Sequence, residues 1–483
     1  MRTAHKSVAT FVLALIAGLV LAGGLGIDAG LGHPAGRAQD PQRPNIVFVL
    51  TDDQMPGTEN RMPALQNNLV RGGVKFTNTV STYPLCCPGR ATIQRGQYPH
   101  NTRIYGNSEP QGGWEKFQRL GLHRNTVATW LDDAGYQTGL FGKYMNNYRE
   151  RLIPPGWDRW YAWNGVDQGW TSVNDQGNVK SLDRQQADAL VADKAEAFLK
   201  SRLGSPQPVF TFVNFGAMHE PYPYSDIDAN KFKGVNIPRT PAFNEADVSD
   251  KNAEIRNQNR LTRGEISDLD SQYRQGLRSL QRVDRFIGDA SDILRRSGEM
   301  DDTYFVFYTD NGAHFGQHRL THGKLQPYEE DINFPLILRG PDIRTNAVEP
   351  GLVGNHDIAP TIADMANVQA PAFVDGRSVM PLAAGATAWP RTAILSIREP
   401  DLDPPPQWEV LRMQTEKYIR FENGEKEYYD LRQDPYEVES KPGSVAAETR
   451  AYWEGRMDEL RSCSGPTCQT AENRPASPDP AAP

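Results

Sequence analysis

Four short apolar runs stand out along the chain, and each stops abruptly at polar residues. Residues 45–50 (NIVFVL) run into Thr51, Asp52 and Asp53, and residues 138–142 (TGLFG) end at Lys143. Residues 208–215 (PVFTFVNF) lead to His219, and residues 303–309 (TYFVFYT) end at Asp310 and Asn311. Continuous rather than alternating apolar positions mark strands covered on both faces. Helical patterns lie between them. Residues 123–135 carry a cap candidate at Asn125 or Thr126, an apolar stripe and a stop at Gly135. Residues 271–298 place Tyr273, Leu277, Leu280, Val283 and Ile287 at helical spacing. This alternation predicts a doubly wound α/β fold, a mostly parallel sheet sandwiched by helices. Ligands in such sheets bind beyond the carboxyl ends of the strands. The four strands would therefore deliver Asp52, Asp53, Lys143, His219, Asp310 and Asn311 to one edge.

The pattern changes in three places. Residues 236–267 are polar and without period, which predicts a long surface excursion beside the site. After about residue 385 short strands alternate with turn signals at Asn423-Gly424 and Asp434-Pro435, hence a smaller antiparallel α+β subdomain. Residues 472–483 (ENRPASPDPAAP) read as a disordered tail. The expected division is 1–38 as a targeting segment, 43–385 as a catalytic α/β domain, 386–462 as the antiparallel subdomain, and 463–483 as a cysteine loop with the tail.

At the N-terminus, Arg2 and Lys6 precede an apolar run over residues 11–27 that ends in small residues. A positive segment followed by an apolar one reads as an export signal, cut after Ala22 or Ala38. Left uncut, it would be a membrane anchor, since it nearly reaches the ~20 residues of a span. Either way the expectation is a secreted or extracellular folded part. Export makes disulfides available, and Cys463 and Cys468 flank a Gly-Pro turn suited to closing a small loop. The other two of the four cysteines, Cys86 and Cys87, are adjacent, and a disulfide across one peptide link is strained. The formal net charge of -8 excludes a generally basic nucleic-acid binder. Any anion site must then be locally basic.

Asp52-Asp53 and Asp310-Asn311 offer hard oxygen ligands without histidine, a set suited to Ca²⁺ or Mg²⁺ rather than zinc. Arg90, Lys143, Lys324 and His219 would make an anion pocket beside such an ion. Residues 310–324 (DNGAHFGQHRLTHGK) concentrate His314, His318, His322 and Lys324 directly after the metal pair. Trp157, Trp160, Trp163 and Trp170 cluster further back, either to stack on sugar rings or to fill the core.

Cys86-Cys87-Pro88-Gly89-Arg90 resembles the Cys-x-Pro-x-Arg signature of the sulfatase family. The resemblance extends through NIVFVLTDD, GLFGKYMNNY, HEP and FVFYTDNGAHFGQH, in family order, over roughly residues 44–440. LCCP-x-RA, YPHN, GKY-x-N and DNG-x-H-x-GQHR bring the chain nearest in look to the N-acetylglucosamine-6-sulfatase-like and extracellular endosulfatase branch. The resemblance implies an alkaline-phosphatase-like fold and a sulfuric ester hydrolase. It also implies that a formylglycine-generating enzyme oxidises Cys86 to formylglycine. Asp52, Asp53, Asp310 and Asn311, with residue 86, would hold one Ca²⁺. Arg90 would orient the hydrated aldehyde that attacks sulfur. Lys143 and Lys324 would bind sulfate oxygens, and His219, with Lys324, would protonate the departing alcohol. The implied substrate is a sulfated carbohydrate, such as a 6-O-sulfated N-acetylglucosamine unit in a glycosaminoglycan, or an aryl sulfate. The chain departs from the family pattern at Met145, where many members have histidine, leaving His318 or His314 as substrate-contacting base. It departs again at Gly89, where serine is commoner, and at Gln94-Arg95-Gly96. Relatives of the same superfamily that hydrolyse phosphodiesters or phosphonate monoesters, and a non-catalytic binder of anionic glycans, are the competing expectations.

Overall fold

A computed structural model of the chain describes residues 43–163, 170–399 and 406–478. The apolar N-terminal run and the side chain of Trp170 lie outside the described residues. The four apolar runs are strands β1 (Asn45–Thr51), β2 (Gln137–Lys143), β3 (Val209–Asn214) and β4 (Thr303–Thr309), and every residue of β1, β3 and β4 is buried. They lie side by side in the order β4-β1-β3-β2, all parallel, at the centre of a ten-stranded sheet. Leu50 pairs with both Tyr308 and Asn214, and Gly142 also pairs with Asn214, so the four strands end level. Apolar side chains lock this register, as where Phe48 stacks on Phe212 at 4.5 Å. Arg159–Trp163 extends the parallel set beyond β2. Antiparallel pairings flank this set: Trp170–Asp175 pairs so with both Arg159–Trp163 and Asn178–Asp183 on one side, and Leu336–Arg339 with both β4 and Val74–Phe76 on the other.

Six helices matter below: α1 (Cys86–Arg95), α2 (Val127–Asp133), α3 (Arg184–Arg202), α4 (Arg263–Ser297), α5 (Ala447–Ser462) and α6 (Pro466–Glu472). Thr126 caps α2, its N–H donating to Thr129 Oγ1 at 3.1 Å, while Asn125 accepts from the Trp130 indole. α4 begins earlier than its apolar stripe because Thr262 and Glu265 form a capping box, with the Thr262 N–H 2.7 Å from the Glu265 carboxylate.

Three expectations change. Residues 236–267 are a surface excursion only in part: half of them are exposed, but Ile237, Ala242, Glu245, Lys251 and Asn252 are buried along them. Lys251 donates to Val438 O at 2.7 Å, and the Asn252 N–H to Glu427 at 2.6 Å. Their polar side chains are spent on partners distant in sequence, which a local pattern cannot distinguish from exposure. Strands Ala393–Arg398, Trp408–Met413, Glu416–Phe421 and Lys426–Asp430 form an antiparallel sheet covered by Trp453, Met457 and Leu460 of α5. Asn423-Gly424 turns between its last two strands, with Gly424 at φ 86°, but Asp434-Pro435 joins no strands. There the Asp434 carboxylate accepts from the Val438 and Glu439 N–H groups. Finally, the tail does not begin at Glu472. That residue is fully buried at the end of α6, after a disulfide joins Cys463 to Cys468.

Candidate active site

α1 carries the cysteine doublet to the carboxyl edge of the sheet. Leu85 is extended, and the helix starts at Cys86, so Pro88 falls in the first turn, where no intrahelical N–H is required. Every residue of α1 is buried. Gly89 permits this seating, since a Cβ there would lie 2.4 Å from Asp310 O. The family's commoner serine has no room in this packing. The two cysteines part company. The Cys87 N–H donates to Asn107 Oδ1 at 2.9 Å and its side chain joins the apolar core. Cys86 Sγ lies 3.5 Å from Asp52 Oδ1 and 3.8 Å from Asp53 Oδ1.

Around Cys86 the strand ends converge. The Asp52 N–H bonds Ala217 O at 2.7 Å and the Asp310 N–H bonds Thr51 O at 3.1 Å, fixing the β1, β3 and β4 exits to one another. Asp53 takes the left-handed region at φ 53°, a conformation in which aspartate is enriched. Asn311 Nδ2 reaches Asp53 Oδ1 at 2.8 Å. Arg90 Nε donates to Asp310 Oδ2 at 2.8 Å, and its Nη1 donates to Lys143 O at 2.8 Å and to Asn214 Oδ1 at 3.3 Å. Lys143 Nζ sits 2.5 Å from Asp52 Oδ2, and Lys324 Nζ sits 2.5 Å from Asp53 Oδ1 and 2.8 Å from Cys86 Sγ. His219 Nε2 lies 3.6 Å from Asp53 Oδ2, with its Nδ1 on Glu220 O at 2.7 Å.

Three carboxylates and three permanent cations thus share a buried volume. Burial raises the Asp52 carboxyl, but Lys143, His219 and Arg90 more than offset it and hold it well below the usual range. Burial and the charge of Asp52 push Asp310 up to about 6, and burial pushes the Cys86 thiol up to about 12. A hard divalent cation fits this donor set. Asp52, Asp53 and Asp310 supply carboxylate oxygens, and Asn311 Oδ1 is buried with no hydrogen-bond partner. Asp52, Asp53, Cys86 and His219 lie close enough together to share one ion.

The structure therefore gathers Asp52, Asp53, Cys86, Arg90, Lys143, His219, Asp310, Asn311 and Lys324 into one cluster. It leaves His318 apart. That ring is buried, with Nδ1 bonded to Glu245 at 2.7 Å and its face packed 4.1 Å from the Tyr328 ring, and no contact joins it to the Cys86 cluster among the described residues. His314 is likewise held by Asp331 at 2.9 Å. Met145 is buried and accepts from Gln94. Arg95 braces the end of α1, reaching Gln97 at 2.8 Å and stacking 4.5 Å over Phe373. Trp160 and Trp163 are fully buried, and Trp157 packs on Phe210, so these three fill the core. Two residues were missed. Asn214 fixes Arg90 but looks like any strand residue. Arg184 opens α3 and stacks on Trp163 at 4.2 Å; a cation at a helix start, against the macrodipole, was the available signal.

A family model described as Sulfatase matches residues 44–368, carrying the whole cluster. The chain belongs to the sulfatase family. A second model, described as N-sulphoglucosamine sulphohydrolase, C-terminal, matches residues 316–461 of this sulfatase. N-acetylglucosamine-6-sulfatase of Homo sapiens is 30% identical over 94% of this chain and 89% of its own length. The extracellular sulfatase SULF-1 homolog of Drosophila melanogaster is 34% identical over 71% of this chain, which spans only 31% of that longer protein. Among solved structures, a protein in complex with its substrate D-glucosamine-2-N,6-O-disulfate superposes with a TM-score of 0.75 at 21% identity, covering 89% of this chain and 99% of that one. The fold of this sulfatase is theirs: a large mixed, mostly parallel sheet with helices and a small antiparallel sheet after it.

Proposed function

We propose that this sulfatase hydrolyses sulfate esters of sugars, with a 6-O-sulfated N-acetylglucosamine unit as the substrate class and one Ca²⁺ per chain. Residue 86 works as formylglycine, installed by a formylglycine-generating enzyme. The observation that carries the reading is the convergence of three carboxylates, Asn311 and three cations on Cys86 beyond level strand ends. The similarity to N-acetylglucosamine-6-sulfatase and to the disulfate-bound structure supports the sugar. Formylglycine and Ca²⁺ together supply a hydrated-aldehyde nucleophile and a Lewis acid that neutralises sulfate charge.

The chain's own residues do the rest. Asp52, Asp53, Asp310 and Asn311 hold the ion. Arg90, fixed by Asp310, Lys143 O and Asn214, orients residue 86 and is too tightly bonded to swing away. Lys143 and Lys324 carry charge to the sulfate oxygens in a buried site, where it counts for more than in water. His219, a third exposed, turns Nε2 toward Asp53 at 3.6 Å, at the edge of the cluster, where it can hand a proton to the departing alcohol. Residues 43–385 form the catalytic domain in this reading, and residues 386–462 complete it from the side of Tyr328 and Glu329. The extracellular relative and the apolar N-terminal run support secretion. Among the described residues no helix is long and apolar enough to cross a membrane.

The test is mass spectrometry of the residue-86 peptide, from protein co-expressed with the modifying enzyme, beside sulfate release from an aryl sulfate and from N-acetylglucosamine 6-O-sulfate. An aldehyde mass and Ca²⁺-dependent release are expected. A persistent thiol without sulfate release overturns the reading, as would faster turnover of an aryl phosphate diester.

A further inference from the structure

Next to the nucleophile lies a cation the cluster does not use. Arg184 is 2% exposed, and its Nε and Nη2 have no hydrogen-bond partner among the described residues. The nearby carboxylate does not serve it: Asp188 Oδ1 accepts from the Gly216 N–H at 2.9 Å, and Oδ2 faces Arg282 at 3.5 Å. Burial lowers the pKa of Arg184, and Asp188 and Asp52 only partly counter that. An uncompensated buried guanidinium costs several kcal/mol. The backbone makes deliberate room for it. A Cβ on Gly216 would lie 2.1 Å from Nη2 and 2.9 Å from the Trp163 ring.

Arg184 lines a cleft of about 340 Å³ with Asp183, Gln185, Tyr222, Pro223 and Tyr224. The cleft adjoins the site, because Tyr222 closes a turn on His219, its N–H bonding His219 O at 3.0 Å. Its acidic members are otherwise placed. Asp183 caps α3 through the Gln185 and Gln186 N–H groups, and Asp226 stands exposed at the rim. The fold thus supplies a guanidinium with no hydrogen-bonded anion, in a cleft that Tyr222 and Tyr224 also line, one turn from the proton donor.

The geometry points to Arg184 as the residue that binds a second anionic substituent of the substrate. That substituent is a sulfate, sulfamate or carboxylate on the sugar whose ester is cleaved or on its neighbour. The inference rests on the sulfated-sugar reading above and narrows it to substrates carrying at least two negative groups. Charge-assisted hydrogen bonds to an otherwise unpaired guanidinium make the preference large.

The experiment compares kcat/KM for D-glucosamine-2-N,6-O-disulfate and glucosamine 6-O-sulfate in the formylglycine-bearing enzyme. Arg184→Met is expected to lower the disulfate-to-monosulfate ratio roughly 10–100-fold, and Arg184→Lys to restore part of it. Gly216→Ala, which displaces the guanidinium without removing it, should lower the ratio too and stands in if Arg184→Met does not fold. Ratios within twofold of wild type in every folded variant overturn the inference. A wild-type enzyme that releases no sulfate defeats the hydrolase reading instead. The same ratio is then measured as Kd by calorimetry with the two sugars, and an unchanged Kd ratio overturns the role of Arg184.

Discussion

Two buried ionic clusters lie on either side of α1, and they differ in what they leave unfinished. Behind the helix, Arg391 donates to both oxygens of Asp357 and to Glu472, and Glu472 also accepts from Tyr98, His356 and Arg377. The same two oxygens of Asp357 also accept from the Gly354 and Arg377 N–H groups, so both carboxylates are fully partnered, while His356 Nδ1 and Arg377 Nε beside them have no hydrogen-bond partner among the described residues. In front, Asn311 Oδ1, Arg90 Nη2 and Arg184 Nε and Nη2 are buried without a hydrogen-bond partner among the described residues, Arg90 Nη2 facing Asp52 at 3.8 Å. A closed network spends its desolvation cost on holding segments together, here α6 to the core. An open one keeps polar atoms poised for something that arrives. Buried unsatisfied charge occurs elsewhere in the molecule, as at Arg456 Nε, so what sets the front cluster apart is that its open atoms converge with three carboxylates on Cys86.

The sharpest way to break this contrast is to disable one member of each cluster. Cys86→Ala should reduce aryl sulfate turnover on the order of 10⁴-fold or more while the melting temperature stays near wild type. Arg391→Met should do the reverse, costing roughly 3–5 kcal/mol by stranding Asp357 and Glu472, with specific activity per folded molecule retained. Parallel calorimetry and activity assays decide it. Loss of turnover in Arg391→Met without a lower melting temperature would erase the distinction between the clusters.

Gly89→Ser tests the seam where α1 meets the active cluster. Restoring the commoner family residue places a side chain against Asp310 O, so either the helix or the strand end must shift. A destabilisation of about 1–3 kcal/mol is expected, together with a turnover loss that persists when the residue-86 peptide is fully converted. Equal or better turnover after full conversion would mean that α1 can re-seat freely.

The front cluster was far more legible in the sequence than the rear one. Strand runs that end in Asp52, Lys143, His219 and Asp310 declare themselves locally, because continuous apolar runs and abrupt polar stops are adjacent in the chain. Parallel pairing then brings those stops level. The rear cluster joins Tyr98, Asp357, Arg391 and Glu472 from segments with no shared pattern, and Glu472 opened what read as a disordered tail. The surroundings of His318 were hidden for the same reason: its partner Glu245 is a buried residue in a stretch that reads as uniformly polar. Residue type gives away a site when each strand carries its own signal. It does not when the signal exists only in the pairing.

His100 lies beside the rear cluster and gives the smallest effect. It follows α1, stacks on Tyr98 at 5.4 Å and places Nε2 3.0 Å from Cys463 O, beside the disulfide. Its Nδ1 is buried without a partner, so a second proton has nowhere to bond. Burial accordingly lowers its pKa to about 4, with the Cys463 carbonyl countering only in part. The unfolded chain takes up this proton near pH 6.5, the folded one near 4, so unfolding binds protons in between and stability rises with pH across that window. The contribution is complete above pH 6.5 and lost as pH falls toward 4, at most about 3 kcal/mol. His100→Gln should flatten the melting temperature between pH 4 and 6.5 while leaving the value at pH 7.5 within a few degrees. A variant whose acid slope matches wild type would assign that slope to other groups.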